Sequence, residues 1–426
     1  MERYDSYKDS GVEWIGEIPS HWGISRLKYF VLLITEKGSP QASDIRISPE
    51  NVENGTGRCF NLLSDHFGEG MAFSRGDILF NKLRLYLKKI LFCDFEGYSM
   101  GEMIVLRTTK GVSRFHYYTF FHQGLIDGLE VLSTGVKLPR VSPDDILNNK
   151  HPFPPVDEQE RIVEYLDRKT ALIDSLIEKT GRKIELLKEK RTSLINEVVT
   201  KGLDPDVEMK DSGVEWIGEI PRHWAVSKIK FECEIFGRIG FRGYTTEDIV
   251  DEGEGVVTIS PSNILNDEFN LKNRTFLSWE KYHESPEIQI FHSDIILVKT
   301  GSTIGKTAII PEGVPEMTIN PQLVVLKRIK PLNKYLFAQT TCRFIKESFE
   351  IEQTGSTTPT ISQEKIKEFP LLLPPLHEQE QIVEYLDEQT AIIDSTITKE
   401  EKRIELLKEY RQSLISEVVT GKVKVA

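Results

Sequence analysis

Hydrophobic residues recur every seven or fourteen positions in two long segments, residues 158–200 and 378–420. The recurring positions are Leu166, Ile173, Leu187 and Leu194 in the first segment and Leu386, Ile393, Leu407 and Leu414 in the second. Mixed lysine, arginine and glutamate residues flank both stripes, which is typical of a coiled-coil seam. Paired prolines precede each segment, and Gly202 and Gly421 follow them. The pattern therefore predicts one long helix in each segment.

The two segments are copies of each other, with 30 identities in 43 aligned positions. A second element is also duplicated, because "DSGVEWIGEIPSHW" at 9–22 returns at 211–224 with one change. Between these elements, residues 23–151 and 225–371 show little resemblance to each other. The chain is thus an internal repeat in which conserved and variable segments alternate.

Both variable regions show the same plan of short strands and helices, and we predict two small α/β domains. Short apolar runs after turns predict strands at 76–82 and 103–108 in the first region and at 293–300 and 323–328 in the second. Helices are predicted at 113–132 and 331–351. The following loops, 133–142 and 353–362, share Thr, Gly, Pro and Ser at matching positions.

These elements predict an α/β (α+β) fold with two globular domains, separated by two long helices that pair antiparallel within the chain. An intermolecular coiled coil remains an alternative. Thr180 and Glu400 interrupt the apolar stripes at equivalent positions, which suits a bend or a docking point. The predicted divisions are 1–151 and 204–371 for the globular domains, and 152–203 and 372–426 for the helical segments.

The composition excludes several classes of protein. The 426 residues are 39% hydrophobic, and no apolar run approaches the roughly 20 residues that cross a bilayer. The charged N-terminus does not resemble a secretion signal, so we expect a cytoplasmic protein without membrane contact. Four dispersed cysteines form no CxxC pair, and the nine histidines include no HxxxH or HExxH pair, so we expect no metal site.

The net charge of -12 argues against a global field that attracts nucleic acid, so DNA contacts must come from local clusters. One cluster lies in "FNKLRLYLKK" of the first region and another in "VKTGSTIGKT" of the second. A basic run is commonly only a solvated surface. Recurrence at the same place in both regions favours DNA contact, because lysine and arginine bind phosphates while Arg, Ser and Thr reach base edges.

No catalytic motif is complete in this sequence. The stretch "TGSTIGKT" resembles a phosphate-binding loop, but Thr300 stands where the first glycine of that loop is required. The sequences "FPPV" and "LPPL" are unlike the Asn-Pro-Pro-Tyr type of motif with which adenine methyltransferases hold a flipped base. We therefore predict a protein without chemistry of its own.

The arrangement resembles the specificity subunit of type I restriction-modification enzymes along nearly the whole chain. The resemblance is carried by "IGEIPSHW", "FNKLRLYLKK" and "PPVDEQERIVEYLD", together with their second copies. It implies that each variable region is a target recognition domain that reads one half of a split DNA site. It further implies that the helices set the spacing and bind methyltransferase subunits.

The resemblance also implies contacts and partners. The predicted DNA contacts are Lys82, Arg84, Tyr86, Lys88, Lys89, Lys137 and Arg140 in the first domain and Lys299, Thr300, Ser302, Thr303, Lys306, Ser356 and Thr357 in the second. The expected partners are double-stranded DNA, two methyltransferase subunits and the restriction and translocation subunits. S-adenosylmethionine, ATP and Mg²⁺ are expected on those subunits and no cofactor on this chain.

Two other functions are compatible with parts of the sequence. A coiled-coil adaptor that joins two protein-binding modules would account for the long helices and the acidic charge, and it predicts no DNA affinity. A fused methyltransferase-nuclease would share the recognition domains, but it needs catalytic motifs that this sequence lacks.

Overall fold

The computed structural model describes residues 2–66, 68–135, 139–238, 243–355 and 358–425. The chain divides into two compact units. Unit 1 runs to Arg182 and includes the chain from Glu400 onward, and unit 2 is Lys183–Lys399. Each unit therefore combines one variable region with part of both long helices.

The first globular domain, which is the first variable region together with the N-terminal motif, consists in its described residues of short, mainly antiparallel strands with three short helices. Its strands are β1 Tyr7–Asp9, β2 Glu17–Pro19, β3 Gly23–Arg26, β4 Val31–Ile34, β5 Lys37–Gly38, β6 Arg46–Ile47, β7 Gly70–Phe73, β8 Ile78–Asn81, β9 Ile90–Phe92, β10 Gly97–Ser99, β11 Met103–Thr108 and β12 Lys150–Phe153. Its helices are α1 Ser113–Thr119, α2 Gln123–Val131 and α3 Pro143–Asn148, and the central helix α4 is Val156–Lys201. The larger sheets have the orders β4-β11-β8-β9 and β5-β7-β10-β6.

The second globular domain, which is the second variable region together with its copy of the motif, repeats this plan. Its strands are β13 Met209–Asp211, β14 Glu219–Pro221, β15 Ala225–Lys228, β16 Glu234–Gly237, β17 Ile249–Val250, β18 Gly255–Ile259, β19 Ile264–Leu265, β20 Glu268–Phe269, β21 Thr275–Ser278, β22 Gln289–Ile290, β23 Ile295–Val298, β24 Thr307–Ile309, β25 Met317–Ile319, β26 Leu323–Lys327 and β27 Pro370–Leu373. Its helices are α5 Ile229–Glu232, α6 Trp279–His283, α7 Asn333–Thr341, α8 Arg343–Glu352 and α9 Gln363–Lys367, and the C-terminal helix α10 is Leu376–Val419. The sheet β16-β26-β23-β24 has the same order as β4-β11-β8-β9.

The predicted strands lie within these sheets, but the predicted helices at 113–132 and 331–351 are each divided in two. His122 and Cys342 have extended backbones at the divisions. The ring nitrogen Nδ1 of His122 accepts the Gly124 amide at 3.1 Å and so caps the second helix. Cys342 makes no such side-chain cap, so the second break lies in the backbone alone. Neither break interrupts the hydrophobic periodicity, which explains the error.

Both long helices form as predicted, although the predicted divisions at residues 152 and 372 fall inside strands. Lys150–Phe153 pairs with β3 and Pro370–Leu373 pairs with β15, so each of these strands belongs to its globular domain. The helices begin only after the following prolines, at Val156 and Leu376. They end before Gly202 and Gly421, whose φ values are 77° and 70°.

The two long helices run antiparallel within one chain. In unit 1, Leu166 and Ile173 near the start of α4 share a core with Leu414 and Val418 near the end of α10. In unit 2, the end of α4 shares a core with the start of α10 through the residues Ile195, Val198, Ile382 and Leu386. Thr180 and Glu400, which interrupt the stripes, are buried. The intramolecular prediction is therefore confirmed.

A buried tryptophan joins the two helix ends to the domain in unit 1. The indole Nε1 of Trp22 donates to Glu158 Oε2 at 2.9 Å, in the first turn of α4. The neighbouring ring nitrogen, His21 Nε2, lies 2.6 Å from the other oxygen of the same carboxylate. At the end of α10, a Cβ on Gly421 would lie 2.4 Å from Pro19 and 3.1 Å from Trp22. Trp22 therefore lies between the start of one helix and the end of the other.

The second copy of the motif builds the same junction in unit 2. Trp224 Nε1 donates to Glu378 Oε2 at 2.9 Å, and a Cβ on Gly202 would lie 3.2 Å from the Trp224 ring. The next residue of each helix, Gln159 or Gln379, accepts a backbone amide of its domain at 2.8 or 2.9 Å. The residues duplicated in the sequence are thus those that join a domain to the helices.

We predict that Gly421→Ala destabilises unit 1 more than Gly11→Ala does. Both glycines have similar positive φ values, 70° and 66°, so each alanine costs about 1 kcal/mol in backbone strain. Only at Gly421 does the new methyl group collide with Pro19, which adds about 1 to 3 kcal/mol. Urea unfolding of the full chain measures both costs, and equal costs would contradict the close packing of this junction.

Three buried histidines distinguish the first domain from the second, whose histidines are exposed or half-buried. Burial lowers the pKa of His116 and His122 to about 4 and that of His151 to about 3. The ring of His116 is stacked on Phe30 and Phe153, with centroid distances of 5.8 and 6.4 Å. At neutral pH each of these histidine side chains is therefore uncharged in the folded protein.

We predict that acid destabilises unit 1 selectively. Between pH 6.5 and about 4 the unfolded chain binds more protons at these histidines than the folded chain. The free energy of unfolding therefore falls as the pH drops, by up to about 1.4 kcal/mol per pH unit for each histidine. The substitution His116→Phe keeps the ring stacking and should remove the contribution of one histidine to the slope of unfolding free energy against pH. The exposed control His283→Phe should leave this slope unchanged. Urea unfolding at pH 7 and pH 5 tests this, and an unchanged slope in His116→Phe would refute it.

Candidate DNA interface

In unit 1 the basic segment lies against the loop that follows the predicted helix. The Val141 amide donates to Lys82 O at 3.1 Å, and Leu83 forms a β-bridge with Arg140. Thr134 and Arg140 exchange two backbone hydrogen bonds of 2.9 Å, which close the loop. Two segments separated by about fifty residues in the sequence thus form one surface, here called reading surface 1 (residues 82–89, 133–135 and 139–142).

Unit 2 forms the same arrangement, here called reading surface 2 (residues 299–306, 353–355 and 358–362). The Ile361 amide donates to Lys299 O at 2.9 Å, and Thr300 forms a β-bridge with Thr360. Thr354 and Thr360 exchange two backbone hydrogen bonds of 2.9 Å. The shared backbone explains the shared Thr, Gly, Pro and Ser positions of the two loops.

The charges of reading surface 1 are organised by one carboxylate. Glu102 lies 3.3 Å from Lys82 Nζ and 2.6 Å from Arg140 Nη2. Arg84 is exposed and has a left-handed backbone, with φ of 51°. Among the residues that the structure describes, its side chain makes no ion pair or hydrogen bond. Arg84 is therefore available to a partner, whereas Lys82 and Arg140 are partly neutralised.

The remaining predicted contacts of the first domain differ in their availability. Tyr86 is 58% exposed, and its amide donates to Glu130 Oε1 at 2.8 Å. The ammonium of Lys89 donates to Pro49 O at 2.5 Å. Lys137 lies outside the described residues.

Lys88 requires a correction, because it is only 7% exposed. Its Nζ donates to Phe121 O at 3.0 Å, and burial lowers the pKa of this lysine to about 8. A buried ammonium group that is bonded to a backbone carbonyl cannot also contact a DNA phosphate. Lys88 is therefore left out of the residues proposed to bind DNA.

Reading surface 2 offers hydroxyl groups more than charges. Thr300 Oγ1 lies 2.8 Å from Thr360 Oγ1, and Ser302 is exposed. Thr303 and Lys306 are half-buried, and in the described part of the chain their side chains make no hydrogen bond. Lys299 is also half-buried, and burial lowers its pKa. Ser356 and Thr357 lie outside the described residues.

The central carboxylate was missed by sequence reasoning, although a signal for it existed. The Lys82 amide donates to Glu102 O at 3.2 Å, and the Lys299 amide donates to Gln322 O at 2.8 Å. Glu102 and Gln322 are thus equivalent, and each directly precedes a matched strand, β11 or β26. Unit 1 places the charged pair Glu102 and Arg140 where unit 2 places the neutral pair Gln322 and Thr360, while both units keep a lysine.

The long helices also expose apolar side chains at repeated positions. Leu172 and Leu186 of α4 are more than half exposed, as are Ile392 and Leu406 of α10. Each residue of the second pair follows its counterpart by 220 positions, so the two helices present the same apolar side chains. Exposed apolar residues that recur in a repeat are suited to a partner that binds twice.

Two further features bear on function. No helix of the described ranges is both long and apolar enough to cross a membrane. Within the same ranges, no three His, Cys, Asp or Glu side chains are grouped so as to hold a metal ion.

The comparisons with known proteins agree with one another. The family described as type I restriction modification DNA specificity domain matches residues 221–408. The chain is 24% identical to the type I restriction enzyme MjaVIII specificity subunit of Methanocaldococcus jannaschii, over 96% of this chain and 94% of the relative. It is 25% identical to the putative MjaX specificity subunit of the same organism, over 96% of both chains.

Two solved structures share the fold. A chain from a type I restriction-modification system, studied for its complex assembly and conformational transition, has a TM-score of 0.73 at 18% identity and covers 95% of this chain and 99% of its own length. The HsdS subunit from Thermoanaerobacter tengcongensis has a TM-score of 0.53 at 17% identity, with 95% and 98% covered. The family match over residues 221–408 and the relatives aligned along nearly the whole chain both indicate a type I restriction-modification specificity subunit, and the two solved structures show that the fold is shared.

Proposed function

We propose that this protein binds double-stranded DNA and that each recognition domain reads one half of a bipartite site. The observation that carries the proposal is the recurrence of one backbone arrangement with different side chains. Reading surfaces 1 and 2 have the same bridges and hydrogen bonds, yet the first presents two arginines with its lysines and the second presents no arginine but serine and threonine with its lysines. A conserved frame with exchanged side chains is what two different half-sites require.

The two surfaces differ in the chemistry by which they recognise DNA. Arg84 has the donor geometry for bidentate contact with guanine in the major groove, and Lys82 and Arg140 lie beside it for phosphate contact. Ser302 and Thr303 can both donate and accept hydrogen bonds, so they can read several bases. The half-site of unit 1 therefore depends more on charge than that of unit 2.

The proposal includes partner subunits and a non-catalytic chain. The repeated apolar residues of α4 and α10 support two equivalent docking sites for methyltransferase subunits. Those subunits hold S-adenosylmethionine and methylate an adenine, and the restriction and translocation subunits use ATP with Mg²⁺. The complex acts in the cytoplasm, and this chain determines which DNA sequence the complex binds.

We predict that Arg84→Ala relaxes one position of one half-site. Loss of a bidentate arginine contact costs about 1 to 3 kcal/mol in discrimination between bases. The matched control is Arg26→Ala, which removes an exposed arginine of the same domain outside the reading surface. Direct detection of N6-methyladenine in genomic DNA, with the partner methyltransferase present, gives both half-sites. An unchanged motif in the Arg84→Ala strain would remove this residue from the reading set.

A second prediction concerns the salt dependence of DNA binding. Glu102→Gln places in unit 1 the amide that unit 2 has at Gln322, and it frees Lys82 and Arg140 for phosphates. The slope of log affinity against log salt should become steeper by about 1 to 2, at roughly 0.9 for each added phosphate contact. Glu96→Gln makes the same charge change at an exposed residue and is the control. Equal slopes for the two variants would show that Glu102 does not restrain these cations.

A further inference from the structure

One arginine of the C-terminal helix contacts the recognition domain of unit 1. The Arg411 Nε donates to Asp174 Oδ1 of the central helix at 3.0 Å. The same guanidinium donates through Nη1 to Gly55 O at 3.3 Å and through Nη2 to Thr56 O at 2.9 Å. Its five N–H donors lie in a fixed plane, so one side chain binds both helices and the loop together. This loop, residues 53–58, is here called the clasp loop.

The clasp loop is in turn bonded to the segment that carries Arg84. The Gly55 amide donates to Leu87 O at 3.1 Å, and the Leu87 amide donates to Arg84 O at 3.0 Å. Arg58 of the clasp loop lies 3.3 Å from the second oxygen of Asp174. A continuous series of hydrogen bonds therefore connects the long helices to the backbone of Arg84.

Unit 2 has the same helix pair without the clasp. Arg191 is the counterpart of Arg411 and Asp394 is the counterpart of Asp174, each at the repeat spacing of 220 residues. Arg191 Nε lies 3.0 Å from Asp394 Oδ1. In the described part of the chain, Arg191 makes no hydrogen bond to the recognition domain, and its side chain is 32% exposed against 9% for Arg411. Both arginines line a cavity, which has a volume of about 190 Å³ beside Arg191 and about 300 Å³ beside Arg411.

We propose that Arg411 is a positioning residue for the half-site read by unit 1, and that Arg191 has no such role for the half-site read by unit 2. This inference rests on the proposed DNA-binding function. Arg411 does not contact DNA. Through the clasp loop it fixes the position of the turn from Arg84 to Lys88 relative to the helices of unit 1. The first half-site thus depends on a residue more than three hundred positions away, in the helix.

The energetic basis is the burial of the Arg411 contacts. Hydrogen bonds to charged groups are among the strongest in proteins, and removal of one partner leaves the others without compensation. Without the guanidinium, the carbonyls of Gly55 and Thr56 lose a common donor, and Asp174 keeps only the longer contact with Arg58. The clasp loop is then free to shift, and the Arg84 segment shifts with it.

The test uses the full chain assembled with its methyltransferase subunits. Methylation is measured on the recognised duplex and on duplexes with one altered base pair in either half-site. The half-site of unit 1 is the one whose discrimination falls in Arg84→Ala. Arg411→Ala and Arg411→Lys should each lower discrimination at that half-site about ten-fold, which is the effect of losing one charge-assisted hydrogen bond. Lysine is included because it keeps the charge but cannot bind Asp174 and both carbonyls at once.

Three measurements decide the proposal. Discrimination at the other half-site and affinity for unrelated DNA should stay within two-fold of the parent protein in both Arg411 variants. The control Arg191→Ala should leave both half-sites unchanged. If Arg411→Lys keeps full discrimination at the first half-site, or if both half-sites lose it equally, the positioning role is wrong. A parent complex that does not discriminate at either half-site would instead refute the proposed function itself.

Discussion

The structure depends on the hydrogen bond between a buried indole and a carboxylate in the first turn of each long helix. Trp22 with Glu158 and Trp224 with Glu378 make this bond at the same distance of 2.9 Å. Burial of the indole requires a partner for its N–H group, so the tryptophan fixes where each helix begins relative to its domain. The glycine that ends the other helix packs on the same ring. One side chain thus holds a domain to both helices.

This junction allows the remainder of each domain to vary. The frame contacts are made by the N-terminal motif and the Glu-Gln pair of each helix, while the reading surfaces lie on other segments. The backbone of those surfaces is retained by main-chain hydrogen bonds, which do not depend on side-chain identity. Exchange of Glu102 for Gln322 and of Arg140 for Thr360 therefore changes the charge without changing the fold. In this way the duplicated frame can hold two different half-site readers.

The repeat is not symmetric where the domains meet the helices. Arg411 and Arg191 occupy equivalent helix positions, and each pairs with the equivalent aspartate. Of the two, and within the residues that the structure describes, only Arg411 also contacts its recognition domain, because the clasp loop presents two carbonyl groups to it. The buried histidines of the first domain add a second asymmetry, since burial lowers their pKa values and the described histidines of the second domain are exposed. Two closely similar helices therefore hold their domains through different contacts.

The sequence by itself determined the long helices, their ends, the repeat and the main strands, because these depend on local periodicity and on proline and glycine. Strand β11 was predicted to the residue, whereas the repeat predicted an antiparallel pair within the chain with an intermolecular coiled coil as the alternative, and only the shared cores of the structure decided between them. Tertiary structure alone decided which members of the basic run face solvent. Lys88 turns inward with a left-handed φ of 45° because its acceptor, Phe121 O, lies 33 residues away. The contacts of Arg411 with the clasp loop could not be predicted either, because contacts between distant segments leave no periodic signal in a single sequence.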